Sequence, residues 1–503
     1  MRAVCVALTC ALVAGPLGGQ ELTNPGFEEG AQGEAPEGWT ATHGAGAANG
    51  KPSVVTRDTD VAWEGESSLR LSGDDETWSW QYVAQRLEAK PAQRWAVRLA
   101  VRSDEVHQGH EQQFYNSYVA VSFYDAEDKL LKRERTPMIT GTRDWSKLVL
   151  QGVAPEKTVH GEVAFFLSMT GTLWLDGIEL DVTPTLPFDK QARGAAFDAL
   201  EGHLRRTYPF FGLSDKPAAD ELFGKYRSKA VKKKDVEGFA EVLVEMLDPL
   251  DDLHVYLDVA GERLSTGPKG NPNPTNWNME VIDERVDEVI SKGANHLVAR
   301  LNENQGYVRL GSFGAEWEEI KRIDVAMDQL ADAHGWVIDV RPNGGGGEDK
   351  AQYIAARFVR ERIEYARSKY RDSFAPDDET AFTEAYPRWL EPREGRQRDG
   401  RPVAVLMGPF CVSSTEGFLL MMKAVPTATL VGKPSRGASA NPGRFTIVPG
   451  LDIVSSRWRS LTLEDECIEG VGVQPDVLVD ERLSKYRKRD PTFEKALEIL
   501  IGG

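Results

Sequence analysis

Two stretches of this 503-residue chain combine residue types that could perform chemistry. In VAVLMGPFCVSSTEGFLLMMKAV (403–425) an apolar strand ends at Gly408, and a helix is expected to begin near Ser413–Thr415. The first N–H groups of a helix lack partners within it and point outward as a cradle for negative charge. A serine there suits an acyl-transfer nucleophile, because those amides can hold the anionic oxygen of a tetrahedral intermediate. Ser413-Ser414-Thr415-Glu416 also has the spacing of a capping box, which needs no catalysis. The second stretch, WVIDVRPNGGGGEDK (336–350), is a strand running into Asn343 and four consecutive glycines. Such a loop exposes unblocked amides and lets a substrate backbone approach closely. A phosphate loop is excluded: the Gly-Lys-Ser/Thr ending is missing, and Glu348-Asp349 would repel phosphate. An amide-lined oxyanion site is the coherent reading.

The elements that must position these groups follow from periodicity. Residues 21–183 are strand-rich, with short alternating segments such as RWAVRLAVRS and YVAVSFYD broken by Gly, Pro, Asp and Asn, which predicts a β-sandwich. TPTLPFDK (183–190) reads as a linker. Residues 190–252 show helical spacing at Phe197, Leu200 and Leu204, and again at Phe239, Leu243, Met246 and Leu247. The basic run KYRSKAVKKKD between them is expected on a solvated face. Over 253–485 apolar strands alternate with helices, predicting an α/β core, and 486–503 ends the chain in a helix.

Composition narrows the function. The 60 Lys+Arg against 78 Asp+Glu give a net charge of −18, and no basic stripe interrupts it, so a nucleic-acid partner is not expected. Residues 1–19, with Arg2, an apolar run and then small residues, have the pattern of a secretory signal peptide. An exported protein, periplasmic or extracellular, is therefore expected, with no later membrane span. Export leaves Cys411 and Cys467, which could pair in an oxidising compartment or remain separate buried thiols. No Cys/His cluster has zinc spacing.

NPGFEEG (24–30), Gly38-Trp39, GESSLRL (65–71) and LWLDGIEL (173–180) resemble the jelly-roll carbohydrate-binding modules. The resemblance implies a structural calcium between the first and last strands, with Asn24, Glu28 and Asp176 at the matching positions. The residue types alone fit surface acids equally well. Trp78, Trp80, Tyr82, Tyr115 and Tyr118 could stack on a glycan or simply fill the sandwich.

The two chemical stretches, with GYVRLGSF (306–313), ATLVGKPSRGASANP (428–442) and EGVGVQPDVLV (469–479), resemble the S41 serine peptidases over about 190–485. These are the tail-specific and tricorn-type proteases, with a ClpP/crotonase-like core. The implied protein is multidomain: a jelly-roll sandwich, a helical subdomain and that α/β core. The implied activity is peptide-bond hydrolysis by Ser-His-Glu acyl-enzyme chemistry on a peptide or protein substrate, with no cofactor. Carried over by position, Ser413 is the nucleophile, and the oxyanion donors are the Ser414 amide and one from Gly345 or Gly346. The tail-processing branch places a Lys where this chain has Ala438, so a Ser/Lys dyad is excluded there. The tricorn-type branch uses a His ahead of the core, and His254 in MLDPLDDLHVYLDV (246–259) holds that position. An imidazole near neutral pKa can take the serine proton and return it to the leaving amine. His334 competes but reads as a helix end, and Lys433 as a surface residue. Glu469 matches the residue that orients the base, Asp252 is the alternative, and Glu416 is expected to act only as a cap. If Ser413 and Glu469 meet, Cys411 and Cys467, each two residues away, come within bridging reach. Residues 255–305 are too few for the PDZ module of many relatives, and 365–401 are expected to form a lid or oligomer contact. A non-proteolytic ligand-binding protein and an esterase acting on polysaccharide remain open, since fold does not fix function.

Overall fold

The computed structural model describes residues 21–45, 54–73, 79–107, 116–183, 188–213, 216–267, 275–302, 304–393 and 399–502. The expected signal peptide lies outside them, as do Trp78 and Tyr115. The N-terminal part folds as two five-stranded antiparallel sheets. One runs in the order Thr40–Ala45, Ser79–Glu88, His160–Ser168, Asn116–Tyr124, Leu130–Arg135. The other runs Val54–Asp58, Ser68–Gly73, Thr170–Thr183, Arg94–His107, Gly141–Val153. Alternation along each strand sends Val119, Val121, Phe123, Val163, Phe165 and Leu167 of the first sheet against Val97, Leu99, Val101, Leu173 and Leu175 of the second. The strands approach closely at Gly161, where a Cβ would sit 2.4 Å from the buried Trp95 ring.

Three helices follow. Lys190–Thr207 is capped by Asp189, which accepts from Ala192 N at 2.8 Å, and Val236–Leu247 by Asp235. The predicted apolar faces, Phe197, Leu200, Leu204, Phe239, Leu243 and Met246, close on each other. They also pack on Phe445, Ile447, Leu451 and Ile453 of a four-stranded sheet that takes in Tyr256–Val259 and Glu262–Ser265. Those two strands therefore join the helical layer rather than the main α/β sheet. Lys225, Arg227 and Lys229 of the basic run are exposed, as their spacing predicts.

The main sheet has seven strands in the order Val286–Lys292, His296–Leu301, Gly306–Leu310, Trp336–Asp339, Val403–Met407, Ala428–Gly432, Val477–Leu478. Pairing is antiparallel up to Gly306–Leu310 and parallel beyond it. Every residue of Trp336–Asp339 and Val403–Met407 is buried, because helices cover both faces. Trp317–Asp328, Glu348–Ala355 and Ser414–Lys423 pack on one face. Pro491–Gly502 packs on the other, so this terminal helix is part of the core. Arg341, fully buried after Trp336–Asp339, ties the layers together: its guanidinium donates to Asp339 at 2.7 Å and Asp490 at 2.9 Å. The described residues of 365–401 do not stand free as a lid. Ile363–Tyr370 and Tyr386–Leu390 pair with each other and with Trp458–Leu461, while Tyr386, Tyr370 and Phe374 pack against the sandwich core.

Candidate active site

Strand Val403–Met407 delivers the chain through a short turn to Ser413, at the N-terminal end of helix Ser414–Lys423. Ser413 has φ 58° and ψ −128°, a conformation a side chain with a Cβ adopts only when its surroundings force it. Two hydrogen bonds do so: Ser413 N donates to Ala438 O at 2.7 Å, and Glu416 N donates to Ser413 O at 2.8 Å. The hydroxyl makes no capping bond, so the capping box expected from Ser413 and Glu416 does not form. Glu416 is instead fully buried, its carboxylate held mainly by the segment at 435–438. Its Oε1 accepts from Ser435 Oγ and Gly437 N, both at 2.6 Å, and its Oε2 from Ala438 N at 2.8 Å. Burial pushes its pKa up to about 7. Glu416 thus fixes the segment whose Ala438 carbonyl holds the Ser413 amide, a role that residue spacing along one helix cannot reveal.

The glycine loop lies directly against Ser413. Gly345 and Gly346 have φ of 100° and 134°. A Cβ at Gly345 would stand 2.8 Å from Ser413 Cβ, and one at Gly346 would stand 2.0 Å from Gly314 N. Both positions therefore require glycine for conformation and for space. Buried Asn343 organises the loop, its Oδ1 accepting from Gly345 N at 2.9 Å and Thr415 Oγ1 at 2.8 Å. Ser414 Oγ adds a bond to Gly346 O at 2.5 Å. These bonds discriminate between the expected donors. The Gly345 amide is committed to Asn343, whereas those of Gly346 and Ser414 have no partner among the described residues. The free donors beside the hydroxyl are Gly346 N–H and Ser414 N–H.

Separate contacts hold Ser413 on one side and the Asp252–His254 pair on the other. Ser439 Oγ lies 3.5 Å from Ser413 O, Trp458 Nε1 donates to Ser439 O at 3.1 Å, and Ser456 Oγ donates to Asp252 Oδ2 at 2.7 Å. The other Asp252 oxygen accepts from His254 N at 2.8 Å and sits 3.8 Å from His254 Nδ1. Among the described residues no hydrogen bond joins the side chains of Ser413, His254 and Glu469, and His254 Nδ1 is buried without a partner. The carboxylate beside the imidazole is that of Asp252. No oxygen of Glu469, the orienting residue expected from position, comes within the 4.0 Å ion-pair distance of the ring. Glu469 Oε1 faces Lys216 Nζ at 3.9 Å instead. Burial, reinforced by the Asp252 charge, pushes the Glu469 pKa well above the ordinary carboxylate value. Burial also lowers the pKa of His254, with Asp252 opposing the shift. Asp251, Leu253, Gly437, Ala438 and Glu469 line one cleft of about 740 Å³.

The other expected positions sort as follows. Asn24, Glu28 and Asp176 gather at one end of the sandwich, but each is satisfied by protein. Asn24 Oδ1 accepts from Glu29 N, Glu28 from Glu66 N and Ser67 Oγ, and Asp176 from the amides of Trp63, Glu64 and Gly177. Among the described residues no group of three or more His, Cys, Asp or Glu could hold a metal ion. Tyr82 and Tyr118 are buried, with Tyr82 OH bonded to Glu162 at 2.5 Å, and Trp80 packs beside them. Cys411 and Cys467 are both free: Cys411 Sγ donates to Val340 O at 3.2 Å within the α/β core, while Cys467 packs on the helical layer. His334 contacts Asn304 at the surface, and Lys433 pairs with Asp480 at 2.9 Å. No helix among the described residues is long and apolar enough to cross a membrane.

A strained serine at a helix start beside a glycine loop with free amides has the geometry that acyl transfer needs. Residues 304–479 match the family model of peptidase family S41. A carboxyl-terminal-processing protease of Synechocystis sp. (strain ATCC 27184 / PCC 6803 / Kazusa) is 25% identical over 280 residues, covering 51% of this chain. The chain spans 60% of that relative's length. A crystal structure of a protein assigned as a peptidase from Parabacteroides merdae ATCC 43184 is 26% identical with a TM-score of 0.53, covering 61% of this chain and 96% of that one.

Proposed function

We propose that the chain is a serine endopeptidase in which Ser413 is the nucleophile. The observation that carries this reading is Ser413 held at positive φ, its hydroxyl uncommitted, next to the unpartnered amides of Gly346 and Ser414. Ser413 Oγ attacks the peptide carbonyl while its proton passes to His254. The carbonyl oxygen takes the negative charge and is held by the two amides. Collapse breaks the C–N bond as His254 returns the proton to the leaving amine, and water then hydrolyses the acyl-enzyme by the same route. Asp252, 3.8 Å from Nδ1, stabilises the imidazolium in the place expected for Glu469. Glu469 and Glu416 are buried acids with raised pKa. The hydroxyl and the imidazole share no hydrogen bond without substrate, and such contacts often tighten only in the Michaelis complex.

The strand order supports reading the sandwich as a jelly-roll module and the seven-stranded sheet as a ClpP/crotonase-like core. The apolar run after Arg2 supports export. Ser413→Ala is expected to abolish casein or peptide hydrolysis, with a thermal midpoint close to that of the parent protein. Full hydrolysis in that variant would refute the assignment, and cleavage of acetylated glycan without peptide cleavage would mark an esterase.

A further inference from the structure

The sandwich and the peptidase part face each other across a second cleft, of about 500 Å³, that the catalytic reading leaves unused. Apart from Glu134, the charged groups of its lining are all arginines. Arg133 and Arg135 come from the sandwich, Arg206 from helix Lys190–Thr207, and Arg371, Arg444 and Arg457 from the peptidase side. The one carboxylate among the lining residues, Glu134, is already held by Lys132 Nζ at 2.9 Å. Arg444 is paired with Asp258 and Asp452. Among the described residues, Arg135, Arg206 and Arg457 have no carboxylate partner, and Arg371 donates only to backbone carbonyls, including Asp378 O at 2.7 Å. Burial pushes the Arg206 and Arg457 pKa values down. His203, stacked on Phe445, is pushed down to about 3 by burial and by the charges of Arg206, Arg457 and Lys132.

Arg135 is exposed, but Arg206 and Arg457 are half-buried, and half-buried guanidinium groups without counter-ions destabilise a fold in a chain whose 78 acidic residues leave no shortage of partners. A converging set left unpaired is an arrangement for an incoming anion, which such a field would draw from solution. Its location says which anion. The floor of the cleft, Asn441–Arg444, continues directly from the segment at 438–440 that holds the Ser413 backbone. At about 3.6 Å per residue, Asn441 lies within roughly 7 Å of Ser439 along the chain. Arg457, whose Nε donates to Asn441 O at 3.1 Å, therefore sits a few backbone residues from the segment that holds Ser413.

We propose that this cleft docks an acidic segment of the substrate, Asp or Glu side chains a few residues from the scissile bond being held by Arg135, Arg206 and Arg457. The inference rests on the peptidase reading for its choice of occupant. Guanidinium–carboxylate pairs in this setting are bidentate and directional.

The test measures binding without turnover, on full-length Ser413→Ala protein. Two labelled peptides of equal length are compared, one with a Glu/Asp run and one with Gln/Asn in its place. The acidic peptide is expected to bind at least roughly tenfold more tightly, with affinity falling as salt rises. Arg206→Gln with Arg457→Gln should remove that preference. Should the double variant fold poorly, Asn441→Asp adds a negative charge at an exposed lining position whose φ of 42° Asp tolerates, and should weaken the preference in the same sense. Equal affinity for the two peptides, or a preference untouched by either change, would overturn the proposal. Binding of oligogalacturonate or inorganic sulfate at these arginines, with no preference between the peptides, would overturn the choice of occupant. Binding of the acidic peptide by a parent protein that never hydrolyses peptides would instead refute the peptidase reading alone.

Discussion

Replacing Glu416 by Gln keeps the shape of the side chain and removes its ability to accept at both ends. In the parent protein its two oxygens accept from three donors, Ser435 Oγ, Gly437 N and Ala438 N. In Glu416→Gln one end becomes an NH₂ that must face an N–H in a fully buried site, leaving at least one donor unsatisfied. The penalty is on the order of 1–3 kcal/mol of stability. Because Ala438 O holds the Ser413 amide at 2.7 Å, loosening this segment also frees the nucleophile, and kcat should fall with little change in KM. The substitution also removes a titration. With the folded-state pKa raised from 4.5 to about 7, the native state binds the proton more tightly than the unfolded chain. The resulting stabilisation is fully present below about pH 4.5 and is lost as pH rises through about 7. The loss amounts to on the order of 3 kcal/mol, at about 1.4 kcal/mol per pH unit. Urea unfolding of the parent and the variant between pH 4.5 and 8 reads this directly. The parent's stability relative to Glu416→Gln should fall across that window. Parallel curves, or a variant as stable and as active as the parent, would refute the clamp.

Other expectations follow from the same geometry. Gly346→Ala would place a Cβ 2.0 Å from Gly314 N at a φ of 134°, so the loop must move. With one oxyanion donor displaced, kcat should fall about 10²–10³-fold, and a near-normal kcat would argue against this amide. The pH profile of kcat/KM should rise through an apparent pKa below the ordinary histidine value of 6.5, because burial lowers that of His254. In Asp252→Asn, loss of the charge that opposes this shift should move the limb to still lower pH and reduce kcat. A limb above 6.5, or one that moves upward, would contradict the pairing.

Much of this was legible before any coordinates, and what was not has physical reasons. Period-two and period-3.6 patterns located the sandwich, the helical layer and the parallel strands, because burial on one face or both writes itself into apolar spacing. Asn343 and its glycines showed their need for free backbone, but not that Asn343 would take the Gly345 amide for itself. That choice depends on Thr415, 72 positions away. The capping-box spacing at Ser413 and Glu416 misled because Glu416 found three better donors at 435–438, which no local pattern encodes. Position favoured Glu469 over Asp252, although Asp252 lies only two residues before His254 and a local turn puts its carboxylate beside the ring. The arginines of the second cleft come from strands and helices far apart in the chain, so no basic stripe announced them.

The central claim concerns one hydroxyl, and covalent labelling reads it most directly. The full-length protein would be treated with a serine-reactive fluorophosphonate and the modified peptide located by mass spectrometry. A single adduct on Ser413, slowed in His254→Ala and absent in Ser413→Ala together with peptide hydrolysis, is the predicted result. Peptide hydrolysis that persists with Ser413 unlabelled, or an adduct on another serine that abolishes activity, would contradict it.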